Sequence, residues 1–216
     1  MKSCAYLVGC SLAVALSNAA LGQTYSGGGG TIADSVGLPA SSTFQIIVGT
    51  GAGTVTGLDV VTLIGLTHSY GGDLSAQLRH QGADGNWVSV DLFERIGYPT
   101  SGIYGDSSNF GGDYSFRDSS ISSIWNAASA VGDAQAIAAG TYFASRDAGI
   151  RVNIAGAFND MDASGIWELV ITDSQQDTQG ALGGWQFTVG TVPAPGGIAL
   201  LGLAVGLAGR GRRRLA

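Results

Sequence analysis

The stretch Gly165-Ile-Trp-Glu-Leu-Val-Ile-Thr-Asp173 decides the fold. Trp167, Leu169 and Ile171 alternate with the residues between them, and a period of two is typical of a strand with one face in a core. After a polar, turn-rich segment, the pattern resumes in Gln179-Gly-Ala-Leu-Gly-Gly-Trp-Gln-Phe-Thr-Val-Gly190. We therefore expect two strands joined by an acidic loop, each with a tryptophan near its start that faces the core.

The composition extends this expectation to the whole body of the chain. Of 216 residues, 36 are glycine and only 12% are charged, whereas 45% are hydrophobic. Such a chain is long enough for one domain, and its hydrophobic content excludes a disordered protein. Many glycines between short runs of Val, Ile and Thr favour an all-β sandwich with tight turns.

Charge is divided sharply between the body and the two ends. All sixteen acids lie from Asp34 to Asp177, and only five arginines accompany them, which gives this region a formal charge of −11. A surface with this balance repels nucleic acid, so we expect no nucleic-acid partner. It is compatible with divalent cations.

The N-terminal residues 1–22 have the features of a signal peptide. Lys2 precedes an apolar stretch, and Ala20-Leu-Gly22 provides small residues at a cleavage site; cleavage after Ala19 is the alternative. The sequence thus predicts export by the Sec route. A lipoprotein box ending at Cys10 is a weaker interpretation, because the apolar run continues past it. Both cysteines lie in this segment, so the mature chain has none.

Residues 192–216 form a second addressing segment. An apolar run over residues 196–209 spans about 20 Å as a helix, short of the roughly 30 Å of a bilayer core. It lies between a proline-containing motif and an arginine cluster, namely Val192, Pro193, Ala194 and Pro195 before it and Arg210, Arg212, Arg213 and Arg214 after it. The pattern predicts transient retention in the inner membrane with the arginines inside. A plain tail anchor is the alternative.

This three-part arrangement resembles the PEP-CTERM sorting signal of bacteria with a Gram-negative envelope. Pro193-Ala-Pro195 stands where the family has Pro-Glu-Pro. The resemblance covers about the last two dozen residues. It implies processing by an exosortase, a membrane cysteine transpeptidase, and release to the cell surface or the extracellular matrix.

Further strands are predicted between the two ends. Residues 23–43 read as a flexible leader because of the run Gly27–Gly30, and the sandwich is expected over residues 44–191. Residues 59–69 alternate until Gly65, where the pattern slips by one residue, and a glycine at such a slip predicts a β-bulge. Leu74, Ala76 and Leu78 alternate next, and residues 87–92 begin another strand. Residues 124–139 read as an alanine-rich loop or helical turn.

These segments together resemble the P domain (P/Homo B domain) found beside subtilisin-like proprotein convertases and in bacterial exoproteins. The resemblance covers most of residues 60–190. It is carried by Leu66-Thr-His-Ser-Tyr-Gly-Gly-Asp-Leu74 with Leu78, by Tyr114-Ser-Phe-Arg-Asp118, Gly140-Thr-Tyr142 and Phe158, and by Gly165–Asp173 and Gly180-Ala-Leu-Gly-Gly-Trp185. It implies a jelly-roll-like β-sandwich with fold-defining residues His68, Asp73, Leu74, Trp167, Leu169, Asp173 and Trp185. The chain departs from the family at Arg79-His-Gln-Gly82, where a Pro-Gly turn is usual, and in an insert over residues 94–113.

Little in the sequence indicates catalysis. His68 and His80 are the only histidines, there is no Gly-x-Ser-x-Gly elbow, and a protease domain would need some three hundred further residues. His68 reads as a half-buried strand residue bonded to a neighbouring loop. We therefore expect no enzymatic activity.

Calcium is the one cofactor that the acidic turns suit. Asp73 and the loop acids Asp173 and Asp177 offer oxygen ligands, and Asp160 and Asp162 form another pair. None has the spacing of a dedicated calcium loop, so solvated turn acids are the favoured interpretation and calcium ligation the alternative.

Two functions follow from these expectations. The first is an exported, non-catalytic sandwich module at the cell surface or in the matrix, with a structural or adhesive role and exopolysaccharide as a conceivable partner. The second is a stand-alone P domain that assists a secreted subtilisin-like serine protease.

Overall fold

The computed structural model describes residues 21–192, with the side chain of Leu21 excepted. The sorting-signal residues 193–216, including the predicted apolar segment, and residues 1–20 of the predicted signal peptide lie outside the described residues. Val192, the first residue of the predicted sorting signal, is the last residue of a strand.

The described chain is almost entirely β. The strands are β1 (Leu21–Ile32), β2 (Ala40–Val48), β3 (Thr54–His68), β4 (Leu74–Gln81), β5 (Trp87–Glu94), β6 (Phe110–Phe116), β7 (Gly140–Tyr142), β8 (Ser145–Arg146), β9 (Ile150–Arg151), β10 (Gly165–Asp173) and β11 (Gly180–Val192). A 3-10 turn covers Gly71–Asp73, and α1 covers Ile124–Ser129 within the alanine-rich segment. Among residues 21–192, no helix has the length and apolar character to cross a membrane.

Two sheets pack on each other in a sandwich-like arrangement, which confirms the predicted fold class at that level. One has the order β1-β11-β3-β6-β7 and the other the order β2-β10-β4-β5; β8 and β9 form a small separate pair. Within the two main sheets every pairing is antiparallel except that of β6 with β7.

The aromatic core joins the two sheets. Trp167 of β10 stacks on Phe187 of β11 in the facing sheet, with ring centroids 4.5 Å apart. Phe93 of β5 stacks on Phe116 of β6 with ring centroids 5.7 Å apart and packs at a tilt against Phe110 of β6 at 5.1 Å. The predicted inward faces are confirmed, because the alternating residues of β4, β10 and β11 are fully buried: Leu74, Ala76, Leu78, Trp167, Leu169, Ile171, Trp185, Phe187 and Val189.

The predicted bulge in β3 is also confirmed. The pairing of β3 with β6 shifts register between Leu63 and Leu66, and Gly65 between them has φ +58°. A glycine adopts this left-handed conformation without the steric cost that a Cβ would add. The shift returns Leu66 and His68 to the buried face that Val61 and Leu63 occupy.

The prediction of a flexible leader over residues 23–43 is wrong. Leu21–Ile32 form β1, an edge strand that pairs along its length with β11, and Ala40 begins β2. The glycine run misled the interpretation because glycine is poor in strand interiors on propensity alone. Leu21 and Gly22 pair with Thr191 and Gly190, so cleavage after Gly22 would remove two paired residues, whereas cleavage after Ala19 would leave β1 whole.

Candidate functional site

A buried polar cluster lies at the end of the sandwich where β3 and β10 finish and β4 begins. Residues 66–74 and 165–173, two of the segments that carry the P-domain resemblance, meet there. His68 ends β3, Asp73 is the last residue of the 3-10 turn, and Asp173 ends β10. The three side chains are 2%, 2% and 1% exposed. Burial of ionisable groups is costly unless they are hydrogen-bonded, so the partners of this cluster decide what it does.

His68 connects the cluster to the backbone. Its Nδ1 lies 2.8 Å from the carbonyl oxygen of Tyr70, and its Nε2 lies 3.2 Å from Oδ2 of Asp173. Both ring nitrogens are therefore engaged, and the ring holds the turn after β3 against the end of β10. This agrees with the prediction of a structural histidine bonded to a neighbouring loop, although His68 is buried and not half-buried.

The two carboxylates share one hydroxyl. Thr178 Oγ1 lies 3.3 Å from Oδ2 of Asp73 and 3.4 Å from Oδ2 of Asp173, a distance at which it donates only weakly to either. Oδ1 of Asp173 accepts from the backbone N–H of Gln175 at 3.1 Å, an arrangement that shapes the β10–β11 loop. Oδ1 of Asp73 accepts no hydrogen bond from any residue of the described range 21–192.

The electrostatics of the cluster follow from this arrangement. Burial and, second, the charge of Asp173 raise the pKa of Asp73 to about 6; the charge of His68, the hydroxyl of Thr178 and Arg95 act in the opposite direction. Asp73 therefore takes up a proton more readily than an exposed aspartate. The cluster as a whole carries negative charge that His68 compensates only when it is protonated.

A groove opens above the cluster. It has a volume of about 560 Å³ and is lined by residues of four connections, among them Ser35, Tyr70, Asp73, Tyr104, Gln176 and Asp177. The connections are those between β1 and β2, between β3 and β4, between β5 and β6, and between β10 and β11. Of the predicted calcium residues, Asp73 and Asp177 line the groove. Asp173 does not line it but contacts the hydroxyl of Thr178, which does.

Calcium needs six to eight oxygen ligands around one point. Across residues 21–192, no three acidic or histidine side chains are placed to hold one metal ion together. The second predicted pair is separated from the groove: the backbone N–H of Asp160 bonds to Val55 near the far end of β3, and Asp162 accepts from the N–H of Ser164. The described side chains thus provide only part of a calcium site, and calcium ligation stays a prediction.

Reasoning from the sequence missed two features of the molecule, one at the groove and one at the other end of β4. The groove walls at Ser35, Tyr70 and Tyr104 lie on loops whose conformation no local pattern predicts. His80 was left without a role. It is fully buried, stacks on Trp167 with ring centroids 4.1 Å apart, and has its two ring nitrogens 3.0 and 2.8 Å from the carbonyl oxygens of Ile166 and Asp162. The alternation in β4 places His80 on the same inward face as Leu78, so its burial could have been predicted from the sequence.

The remaining fold-defining residues are core residues. Leu74, Leu169 and Trp185 are fully buried, and Trp167 donates its indole N–H to the carbonyl oxygen of Ala163 at 2.9 Å. Neither tryptophan is exposed to stack on a ligand. Compared with known proteins, the chain matches no protein-family model, and a search of curated proteins finds no relative.

Proposed function

We propose that this protein is an exported, non-catalytic β-sandwich module of the P-domain, jelly-roll-like type that acts at the bacterial cell surface or in the extracellular matrix through binding. The observation that carries the proposal is the hydrogen-bonded cluster of His68, Asp73 and Asp173. Residues that the P-domain resemblance singles out as fold-defining come from three separate segments and meet there.

The same cluster favours binding over catalysis. A general base needs a nitrogen free to accept a proton from a substrate. In His68 and His80 both ring nitrogens are taken up by backbone carbonyls or by Asp173, in positions closed to solvent. Both histidines hold loops and strands together. The accessible feature near His68 is the groove above the buried cluster.

We assign export of the protein and its delivery to the surface to the two terminal segments. The signal peptide takes the chain across the inner membrane, and the C-terminal segment holds it there until an exosortase-type enzyme acts on the Val192–Pro195 motif. The role at the surface is adhesive or structural, with exopolysaccharide or another surface component as partner.

Cell fractionation with intact-mass measurement tests the export. We expect the protein of a Gram-negative host that carries an exosortase to be found in the medium or on the surface, with a mass that lacks both terminal segments. Replacement of Arg210, Arg212, Arg213 and Arg214 by alanine should leave the C-terminal segment attached, whereas Arg146→Ala, an exposed arginine of the body, should not. An uncut native protein that stays in the inner membrane would contradict the proposal.

The second function, assistance to a secreted subtilisin-like protease, rests on the same P-domain resemblance. Co-purification from the culture separates the two. A stable complex with a protease would replace the surface role, and an abundant protein without a protease partner would support it.

A further inference from the structure

The groove above the buried cluster has the chemistry of a recognition site for a cationic side chain. Asp73 and Asp177 line it, and Asp173 is joined to Asp73 through the hydroxyl of Thr178, which also lines the groove. Burial raises the pKa of the groove residue Tyr70, and the charges of Asp73, Asp106 and Asp133 raise it further.

The cations near this groove are directed elsewhere. Arg95 donates to the carbonyl oxygens of Gly72 and Ile103, at 3.1 and 3.0 Å, and its guanidinium lies 4.0 Å from the ring centroid of Tyr98. His68 is buried under the groove against Asp173. The groove therefore presents a negative potential that attracts a positive ligand and repels an anionic one.

Aromatic rings and apolar side chains complete the site. Tyr70 and Tyr104 line the groove, and tyrosine rings attract ammonium and guanidinium groups by cation–π interaction. Next to these lining residues in the chain, Val36 and Leu38 flank Gly37 and are 91% and 78% exposed, and Ile103 precedes Tyr104 and is 68% exposed. Single exposed apolar residues are ordinary, but three beside groove residues offer contacts to apolar neighbours of a bound cation.

We propose that this groove binds a lysine or arginine side chain presented between apolar residues by an extended segment of a partner protein. The partner is a protein and not a metal ion because the described acidic side chains supply too few converging ligands for a metal. A neutral sugar would use the tyrosines and amides but would leave the negative charge of the groove uncompensated. This inference rests on the proposed binding role and names the chemistry of the partner.

Binding of a defined peptide to the purified full chain tests the inference. The probe is acetyl-Ala-Leu-Lys-Leu-Ala-amide, and its matched control has acetyl-lysine at the centre, which removes the charge and little else. We expect the lysine peptide to bind at least about tenfold more tightly than the control in isothermal titration calorimetry, and to lose affinity when salt is raised from roughly 0.05 to 0.5 M.

Two substitutions place the binding in the groove. Asp177→Asn removes one charge at an exposed residue with φ +70°, a conformation that asparagine also adopts, and Tyr104→Ala removes an exposed ring. Each should weaken the lysine peptide about five- to tenfold. Asp160→Asn is the matched control, because Asp160 is also exposed with φ +66° but lies by the other end of β3, and it should leave the affinity unchanged.

Three outcomes would overturn the inference. The first is equal affinity for the charged and acetylated peptides, and the second is equal loss in all three variants. The third is displacement of the lysine peptide by maltohexaose or by calcium chloride, if the Asp177→Asn variant no longer shows that displacement. Displacement by maltohexaose would assign the groove to a glycan, and displacement by calcium chloride would assign it to a metal. All three are measured on purified protein, so they leave the result of the fractionation experiment on export unaffected.

Discussion

Trp167 is the residue on which the packing of the two sheets depends. Its ring lies between His80 of the neighbouring strand and Phe187 of the facing sheet, and its indole N–H is bonded to Ala163. We expect Trp167→Ala to lower the free energy of unfolding by about 3–5 kcal/mol, since it leaves a large cavity and an unpaired carbonyl. Chemical denaturation followed by circular dichroism measures the loss.

Trp87→Ala provides the comparison for this substitution. Trp87 is 40% exposed on β5, an edge strand, and contacts the guanidinium of Arg79 at 4.6 Å. Its removal should cost about 1 kcal/mol or less. Equal losses at the two tryptophans would mean that the inward face of β10 is not the centre of the core.

The raised pKa of Asp73 predicts that the stability of the fold depends on pH. Its pKa is 3.8 in an exposed chain and about 6 in the fold, so between these values the folded protein holds a proton that the unfolded chain has released. The free energy of unfolding should therefore fall as the pH rises through this window, by at most roughly 3 kcal/mol. Below pH 3.8 both states are protonated and the contribution is constant.

Asp73→Asn isolates this contribution, because asparagine has nearly the same shape and no titratable proton. We expect the decline between pH 3.8 and about 6 to be absent from the variant and retained in Asp160→Asn, in thermal unfolding measured at several pH values. A variant that keeps the full decline would show that a group other than Asp73 is responsible.

At the scale of elements, the sequence predicted strands where side chains alternate. β4, β10 and β11 follow this rule, and even the slip at Gly65 could be recognised, since a register shift leaves its trace in the periodicity. β1 could not be predicted in this way. Its glycines carry no pattern, and the reason for them lies in packing against residues some 150 positions further along the chain.

The glycines of β1 provide a paired test. A Cβ at Gly29 would lie 1.9 Å from the carbonyl oxygen of Leu182 in β11, whereas a Cβ at Gly28 would meet nothing within 4 Å. Gly29→Ala must therefore displace backbone, and we expect it to cost about 3 kcal/mol or more, while Gly28→Ala should be within about 0.5 kcal/mol of the native protein.

Thermal unfolding of the two variants measures this difference. For a domain of this size the loss at Gly29 corresponds to a fall of roughly 6–12 °C in the melting temperature. If both variants melted like the native protein, β1 would be loosely attached, and the interpretation of residues 23–43 as a leader would regain support.

At the scale of the molecule, the sequence predicted part of the candidate site. Solvated turn acids were the favoured interpretation of Asp73, Asp173 and Asp177, with calcium ligation as the alternative. That interpretation is wrong for Asp73 and Asp173, which are buried neighbours in the cluster, whereas Asp177 is exposed and lines the groove. The groove itself could not be predicted, because its walls come from four separate connections. The position of Ser35 or Tyr104 depends on how the sheets pack and not on the residues beside it in the chain.

The topology gives the last strand a special place in the fold. β11 ends the described chain but lies between β1 and β3 in the middle region of its sheet, and it supplies Trp185 and Phe187 to the core. A chain that stops at Gln179 leaves β1 without the strand that it pairs with in the described part of the chain, and exposes one edge of β3. Unpaired strand edges of this length promote association of chains, and the core also loses its facing aromatic residues.

We therefore expect a chain that ends at Gln179 to give no cooperative unfolding transition in calorimetry and to aggregate. A chain that ends at Val192 should melt within about 2 °C of the full chain, because it keeps the eleven strands described for residues 21–192. A cooperative transition in the shorter chain would show that β1 and β3 can close the sheet without β11. If only the chain that ends at Val192 folds, the sandwich needs β11, the strand directly before the predicted sorting segment.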